Sequence, residues 1–288
     1  MTVQILHVAD LHFGSLADIR QIEALERMLP DLRPDLIVVA GDLSQRARHG
    51  ELQRARAFVA LAGATAPVLV QPGNHDVQWW WRPLIPFRRD VLYDKYRRYF
   101  GADLTPTLSL SGAVVASALT SHGLAWGSLT WNLRDVTVKG HLPKREAERV
   151  KHIFTAARAD QARVLVVHHN VMRGDISRRA GLARWRRAQR RILECGAEIV
   201  LCGHDHQEGA EVLGGRVVVA TAGTLSTRSR GGRPSSFNVV TIEPSAVQVT
   251  FFRWEAERGR FSPSDTSAFA RRKGQLRRQG AAPAGAAK

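Results

Sequence analysis

The sequence predicts an α/β fold: two mixed β-sheets packed on each other and flanked by helices. Three observations carry this prediction. Short apolar runs rich in Val, Ile and Leu recur at 3–9, 36–40, 68–70, 164–167 and 199–202, the length and composition of buried strands. Between them, apolar residues fall three and four apart at 19–29, 50–61, 144–157 and 182–193, the spacing of amphipathic helices. Strands alternating with helices make a layered α/β domain. Further apolar runs lie at 113–119, 217–221, 237–242 and 247–252, with no long helix between the last three; those three read as antiparallel strands. A two-sheet sandwich accommodates both kinds.

The run 36–40 is apolar throughout, and 3–9 is apolar but for Gln4 and His7, as expected of strands covered on both sides. The 182–193 helix places Leu182, Trp185, Ala188 and Ile192 on one face. There is no internal repeat and no linker, so residues 1–270 read as one domain. Residues 271–288 lack apolar periodicity and are rich in Gly, Ala and Arg, a composition expected to be disordered.

Cys195 and Cys202 are the two cysteines, which excludes a disulfide framework. No run of about 18 apolar residues predicts a membrane-spanning helix. The N-terminus lacks the basic start of a signal peptide. A cytoplasmic protein is expected, with peripheral contact at the inner membrane face as the alternative. The 42 Lys and Arg against 26 Asp and Glu give a net charge of +16. Such a surface favours anionic partners: a nucleotide, an acidic membrane face or, less well supported, nucleic acid. An Arg-rich composition accounts for part of the excess without any partner.

Each early strand ends in polar residues. These are Asp10-Leu11-His12, Gly41-Asp42, Gly73-Asn74-His75-Asp76, His168-His169-Asn170 and Gly203-His204-Asp205-His206. Ligands of α/β sheets bind at the carboxyl ends of strands, so these clusters would converge. In extended chain, residues i and i+2 point the same way, which lets Asp10 and His12 reach one point, and likewise His204 and His206. Gly41, Gly73 and Gly203 allow close backbone approach beside those residues. Carboxylate, amide and imidazole donors together suit Mn, Fe, Zn or Co better than Ca. Two Asp, one Asn and four His exceed the needs of one ion. A dinuclear site follows, with Asp42 as the bridge between ions about 3.5–4 Å apart.

With these motifs in this order, the chain resembles the calcineurin-like metallophosphoesterase family over roughly residues 3–225. The resemblance implies a four-layer α/β/β/α sandwich and metal-dependent hydrolysis of phosphate esters or anhydrides. It implies Asp10, His12 and His206 on one metal, Asn74, His168 and His204 on the other, and Asp42 between. It also implies a catalytic His75 that stabilises transition-state charge or protonates the leaving oxygen, oriented by Asp76. The fourth motif, His168-His169-Asn170, lacks the proline usual in the family.

His169, Asn170, Arg82 and Arg173 are the candidate substrate contacts, with Ser44 and Gln45 as further cleft residues; His7 reads as a core residue. Two segments, 78–100 and 173–191, mix aromatic and basic residues next to the motifs. They serve as a substrate cap, an interfacial surface or helices packed on the core. The substrate expected is a 3′,5′-cyclic nucleotide or a similar nucleotide, because the chain resembles bacterial cyclic-nucleotide phosphodiesterases of the family. A nucleotide-linked lipid of the UDP-diacylglucosamine type, cleaved at its pyrophosphate, and nucleic acid are the alternatives. A catalytically dead binding scaffold would have lost ligands, and this chain keeps all of them.

Overall fold

The computed structural model describes residues 1–77, 91–123, 138–272 and 275–278. The order of elements is β1 (Val3–Val8), α1 (Ile19–Leu32), β2 (Leu36–Val39), α2 (His49–Gly63), β3 (Val68–Val70), a 3₁₀ turn (Val91–Tyr93), α3 (Asp94–Phe100), β4 (Thr107–Ser109) and β5 (Ala113–Ser117). It continues with α4 (Lys144–Ala156), β6 (Ala162–Val166), α5 (Trp185–Glu194), β7 (Ile199–Cys202), β8 (Gly209–Leu213), β9 (Val217–Thr221), β10 (Ser236–Ile242), β11 (Ala246–Glu255), β12 (Arg260–Arg272) and β13 (Gln275–Arg278).

Two mixed sheets result. One has seven strands in the order β13-β12-β11-β10-β1-β2-β3; the other has six, β4-β5-β6-β7-β9-β8. The three strands β1, β2 and β3 are parallel, as are β5, β6, β7 and β9. The strand period of two decides the layering. Val3 and Ile5 of β1, Leu36 and Val38 of β2 and Val240 of β10 share one cluster with Val115 of β5, Val164 and Val166 of β6 and Ile199 and Leu201 of β7. Their neighbours Leu6, Val8, Ile37 and Val39 instead pack on Ile22, Leu25 and Leu29 of α1 and Phe58 of α2. On the far side Leu165, Val200 and Val219 meet Val150 and Phe154 of α4 and Ala188 and Ile192 of α5. The result is helix, sheet, sheet, helix. Each fully buried Ile, Leu or Phe contributes roughly 1.5–3 kcal/mol, which makes these three clusters the main source of stability.

Three expectations need correction. The 217–221 run is not antiparallel to its apolar neighbours: β9 runs parallel to β7 and takes β8 as its antiparallel partner. Strand β8 is buried only at Ala210 and Leu213 and so carries no continuous apolar signal. Helix α1 does not stop at Leu29 but passes through Pro30 to Leu32, closed by Arg33 in the left-handed region with its N–H on Leu29 O. The expected disordered tail does not begin at 271. Arg271 and Arg272 belong to β12, and β13 pairs antiparallel with it. Backbone pairing alone satisfies such an edge, so composition does not reveal it.

Candidate metal centre and catalytic site

The polar clusters stand where β1, β2, β3, β6 and β7 end. Beyond β1 and β2 the two loops stay paired: Asp10 N–H donates to Gly41 O (3.0 Å), His12 N–H to Asp42 O (3.0 Å) and Phe13 N–H to Leu43 O (2.7 Å). Gly203 N–H donates to His168 O (2.8 Å), which ties the loops after β6 and β7. Asp10 joins the sheets, its Oδ2 accepting from His204 N–H at 2.7 Å. Such a junction leaves no space for side chains at two glycines. A Cβ on Gly73 would lie 2.1 Å from Asp42 Oδ1, and one on Gly203 would lie 2.5 Å from Asp10 Oδ2.

The backbone is strained here. Among the described residues nine non-glycine residues have positive φ, and Asp10, His12, Asp42, His204 and His206 are five of them. Each such conformation costs on the order of 1–3 kcal/mol and persists where surrounding contacts over-determine it. The gain is direction: the five side chains point inward from turns that would otherwise aim them elsewhere.

The structure brings all seven expected ligands together in two groups. In one, Asp10 Oδ1 lies 3.3 Å from His206 Nε2 and 3.7 Å from His12 Nε2, and those two ring nitrogens are 2.9 Å apart. In the other, Asn74 Oδ1 lies 3.0 Å from His168 Nε2 and 2.9 Å from His204 Nδ1. Asp42 stands between, with Oδ2 3.3 Å from His168 Nε2 and 3.8 Å from His12 Nε2. Its Oδ1 accepts from His75 N–H at 2.8 Å.

These donors fit divalent cations. Asp10 and Asp42 are buried at 0 % and 1 % exposure, and Asp10 Oδ1 has no hydrogen-bond partner. A buried carboxylate oxygen without a partner is costly unless a cation faces it. Burial alone would raise the Asp42 carboxyl, but the charges of His168 and His75 outweigh it and hold the group well below the usual carboxylate range. Burial pulls His168 down, yet the charge and hydrogen bond of Asp42 lift it to about 9. The site therefore attracts positive charge strongly. By contrast, burial drives His12 down to about 3 and His204 well below its ordinary value. A neutral imidazole is the form that ligates metal.

His75 sits at the edge of the first group, its ring 4.9 Å from that of His12 and perpendicular to it. Its Nδ1 lies 2.7 Å from Gln45 O. The expected orientation of His75 by Asp76 is thus corrected. Asp76 accepts instead from Leu43 N–H (3.1 Å), Ser44 N–H (2.8 Å), Ser44 Oγ (2.7 Å) and Gly73 N–H (2.9 Å). It holds the loop that carries Gln45, and burial followed by the charge of Asp42 raises its pKa. Ser44 is accordingly buried and does not line the cleft. Gln45, expected as a cleft residue, meets His75 through its main-chain carbonyl, which no side-chain motif reveals.

The candidate substrate contacts lie differently. His169 is buried, with Nδ1 2.8 Å from Thr120 Oγ1 and Nε2 3.1 Å from Val138 O. Both ring nitrogens are engaged, and the ring packs 4.5 Å from that of His204; it supports the ligand cluster. Asn170 is also buried and donates to Met172 O and Arg179 O, shaping its own loop. Arg173 stacks 5.0 Å over the Trp185 ring, which Arg186 covers at 4.9 Å. Arg82 and Trp79–Trp81 lie outside the described residues. Within the described part, 91–100, Tyr93 and Tyr96 are buried, Tyr96 against the α1–α2 layer, so these residues pack on the core; 78 and 83–90 also lie outside the described residues. No described helix is long and apolar enough to cross a membrane.

A family model described as calcineurin-like phosphoesterase matches residues 3–208. A search of curated proteins finds no match. Among solved structures, PhoD is similar over 98% of this chain and 72% of its own, with a TM-score of 0.67 at 11% identity. A dimetal phosphatase from Danio rerio is similar over 86% of this chain and 95% of its own, with a TM-score of 0.59 at 13% identity. Purple acid phosphatase PPD1 from yellow lupin (Lupinus luteus) seeds has a TM-score of 0.62 at 11% identity; the match covers 92% of this chain but 53% of that one. Identities this low show a shared fold alone. The family match spans most of the chain and every motif loop that builds the cluster: the chain belongs to the calcineurin-like phosphoesterase family and is a metal-dependent phosphoester hydrolase.

Proposed function

We propose that this protein is a dinuclear metallophosphodiesterase acting on nucleotide substrates. Asp10, His12 and His206 would hold one divalent ion, Asn74, His168 and His204 the second, with Asp42 shared; Mn, Fe and Zn all suit the donor set. When bound, the ions activate water and neutralise phosphoryl charge.

The observation that carries the reading is the placement of His75. Its Nδ1–H donates to Gln45 O, so the ring cannot turn, and in the imidazolium form Nε2–H is the proton it can give. The ring stands beside His12 at the rim of the cluster. There it can protonate an oxygen leaving phosphorus as the P–O bond breaks, a contribution typically worth ~10²–10⁴-fold. Alkoxide leaving groups of nucleotide diesters need such a proton, whereas activated phenolates do not. A 3′,5′-cyclic nucleotide is one substrate of this class; a nucleotide-linked lipid pyrophosphate, whose leaving group is a phosphate that needs the proton less, is the alternative.

Protein stripped and reloaded with Mn²⁺ would be assayed on bis(p-nitrophenyl) phosphate, p-nitrophenyl phosphate and 3′,5′-cyclic AMP, with Asp42→Ala as control. Diester turnover lost in the control supports the reading. Turnover of the monoester alone overturns it.

A further inference from the structure

A groove of about 490 Å³ reaches Gln45, the residue whose carbonyl holds His75; its lining includes Ser15, Gln45, Arg46, Arg48, Glu51 and Arg54. It is large enough for a nucleotide-sized group. Its walls are continuations of the catalytic loops: Ser15 follows His12 by three residues, and Gln45 follows Asp42 by three. Gln45 faces both ways. Its carbonyl holds His75, while its side-chain Oε1 accepts from Ser15 N–H (3.0 Å) and Ser15 Oγ (2.9 Å). The third wall is the first two turns of α2, which contribute Glu51 and Arg54.

The groove is strongly basic. Three arginines line it against one carboxylate, and that carboxylate is already committed. Glu51 Oε2 accepts from Arg46 N–H at 2.7 Å and Arg48 N–H at 3.2 Å. All three guanidinium-bearing residues are exposed. Arginine presents a planar fork that matches phosphate oxygens two at a time. The substituent on the departing oxygen must lie on the His75 side, because His75 protonates that oxygen.

We infer that this groove is an anion subsite for a phosphate carried by the leaving half of the substrate. The inference rests on the phosphodiesterase reading and narrows it. The preferred substrates are phosphodiesters or phosphoanhydrides whose departing half bears its own phosphate. Hydrolysis then forms one bond from water oxygen to phosphorus and breaks one bridging P–O bond. The departing oxygen takes the His75 proton, and both products leave as phosphates. A cyclic mononucleotide has no second phosphate and is the poorer member of the class.

The test compares the dinucleotides pApA and ApA, which differ by one terminal phosphate on the leaving side, in the Mn²⁺-loaded enzyme. Diadenosine diphosphate is a third arm that separates an anhydride-borne phosphate from a remote one. Expected is a kcat/KM at least tenfold higher for pApA or for diadenosine diphosphate than for ApA. That preference should shrink with rising salt, since the arginines are exposed, and fall to within twofold in Arg48→Gln/Arg54→Gln. A second readout needs no turnover. In His75→Ala protein, titration calorimetry should show adenosine 3′,5′-bisphosphate binding about tenfold tighter than 5′-AMP, with the difference lost in the arginine variant. Equal kcat/KM for the three substrates, or a preference and an affinity difference that survive the arginine substitutions, overturns the inference. Should no diester be turned over while the affinity difference holds, the phosphodiesterase reading fails and the subsite stands.

Discussion

His75 Nδ1 and the carbonyl oxygen of Gln45 are 2.7 Å apart, and that contact joins the β3 loop to the β2 loop at the edge of the metal-ligand cluster. A carbonyl accepts but cannot ionise, so it fixes the tautomer and orientation of the ring without adding charge. His75→Ala should retain its metal content and lose about 10²–10⁴-fold in kcat on alkoxide leaving groups. On p-nitrophenolate the loss should be much smaller. A series of esters with graded leaving-group pKa checks this: a parallel loss across the series would remove His75 from the proton transfer.

Asp76 acts at one remove. Its carboxylate accepts four hydrogen bonds from the β2 loop and Gly73. An asparagine there presents a donor to donors. Asp76→Asn should cost roughly 2 kcal/mol through unsatisfied buried groups, seen as a melting-temperature drop of several degrees. Because Gln45 then loses its fixed carbonyl, kcat should fall more on poor leaving groups than on p-nitrophenolate. A drop in melting temperature with no leaving-group dependence would make Asp76 a stabilising residue alone.

Much of the architecture and the site is legible in the sequence because both depend on side-chain chemistry. Buried strands are continuous apolar runs, and ligands such as Asp10, Asp42 and His204 must be the residue types they are. What stays hidden depends on the main chain or on alternating burial. Strands β4, β8 and β12 mix polar and apolar residues, since one face meets solvent. Gln45 works through a carbonyl that any residue has. His169 and Asn170 look like site residues from their position, yet Thr120, Val138, Met172 and Arg179 take up their polar atoms. Pairing partners of that kind come from distant chain segments and leave no local pattern.

Metal removal should be visible as lost stability. Five ligand residues hold positive φ, and Asp10 and Asp42 are buried, with His206 and His168 respectively 3.3 Å from a carboxylate oxygen. Cations that bind the folded chain alone stabilise by about 2.7 kcal/mol at a hundredfold excess over Kd. Chelation should therefore lower the melting temperature by several degrees and speed hydrogen exchange in the loops at 10–13, 42–47 and 203–206. Asn74→Ala and His168→Ala should each lower metal content by elemental analysis. Full two-metal content in either variant would remove that residue from the ligand set.

His7 makes acid stability testable. It lies between the sheets, its Nε2 without a partner and its Nδ1 3.4 Å from Asn238 Nδ2. Burial pushes its pKa down to about 3, against a smaller upward pull from Asp10. The unfolded chain binds this proton below about 6.5 and the folded chain resists it. Stability is thus lost as pH falls from about 6.5 towards 3. In His7→Leu that contribution is gone, while Asn238 keeps its bond to Thr221 O. With chelator present in both proteins, melting temperature should drop less between pH 7 and pH 5 in the variant than in wild type. Parallel profiles would mean that His7 finds a proton-binding arrangement in the folded state.

Arg271 links the two sheets at the strand ends opposite the ligand loops. From β12 its Nε and Nη2 reach Glu198 Oε1 and Oε2 at 3.2 and 3.3 Å, a two-point contact just ahead of β7. Glu198 also accepts from Arg163 N–H at 2.9 Å, which holds its carboxylate in place. A partly buried, two-point arginine contact is worth more than the ~0.2–1 kcal/mol of an exposed pair. Arg271→Ala should therefore cost about 1–2 kcal/mol, a melting-temperature drop of roughly 2–8 °C for a domain of this size. Activity should stay within twofold, because the contact lies far along the sheets from the ligand loops. Removing 273–288 takes away β13 but leaves Arg271, and should cost less. If truncation at 273 destabilises more than Arg271→Ala, the backbone pairing of β12 with β13 outweighs the side-chain link between the sheets.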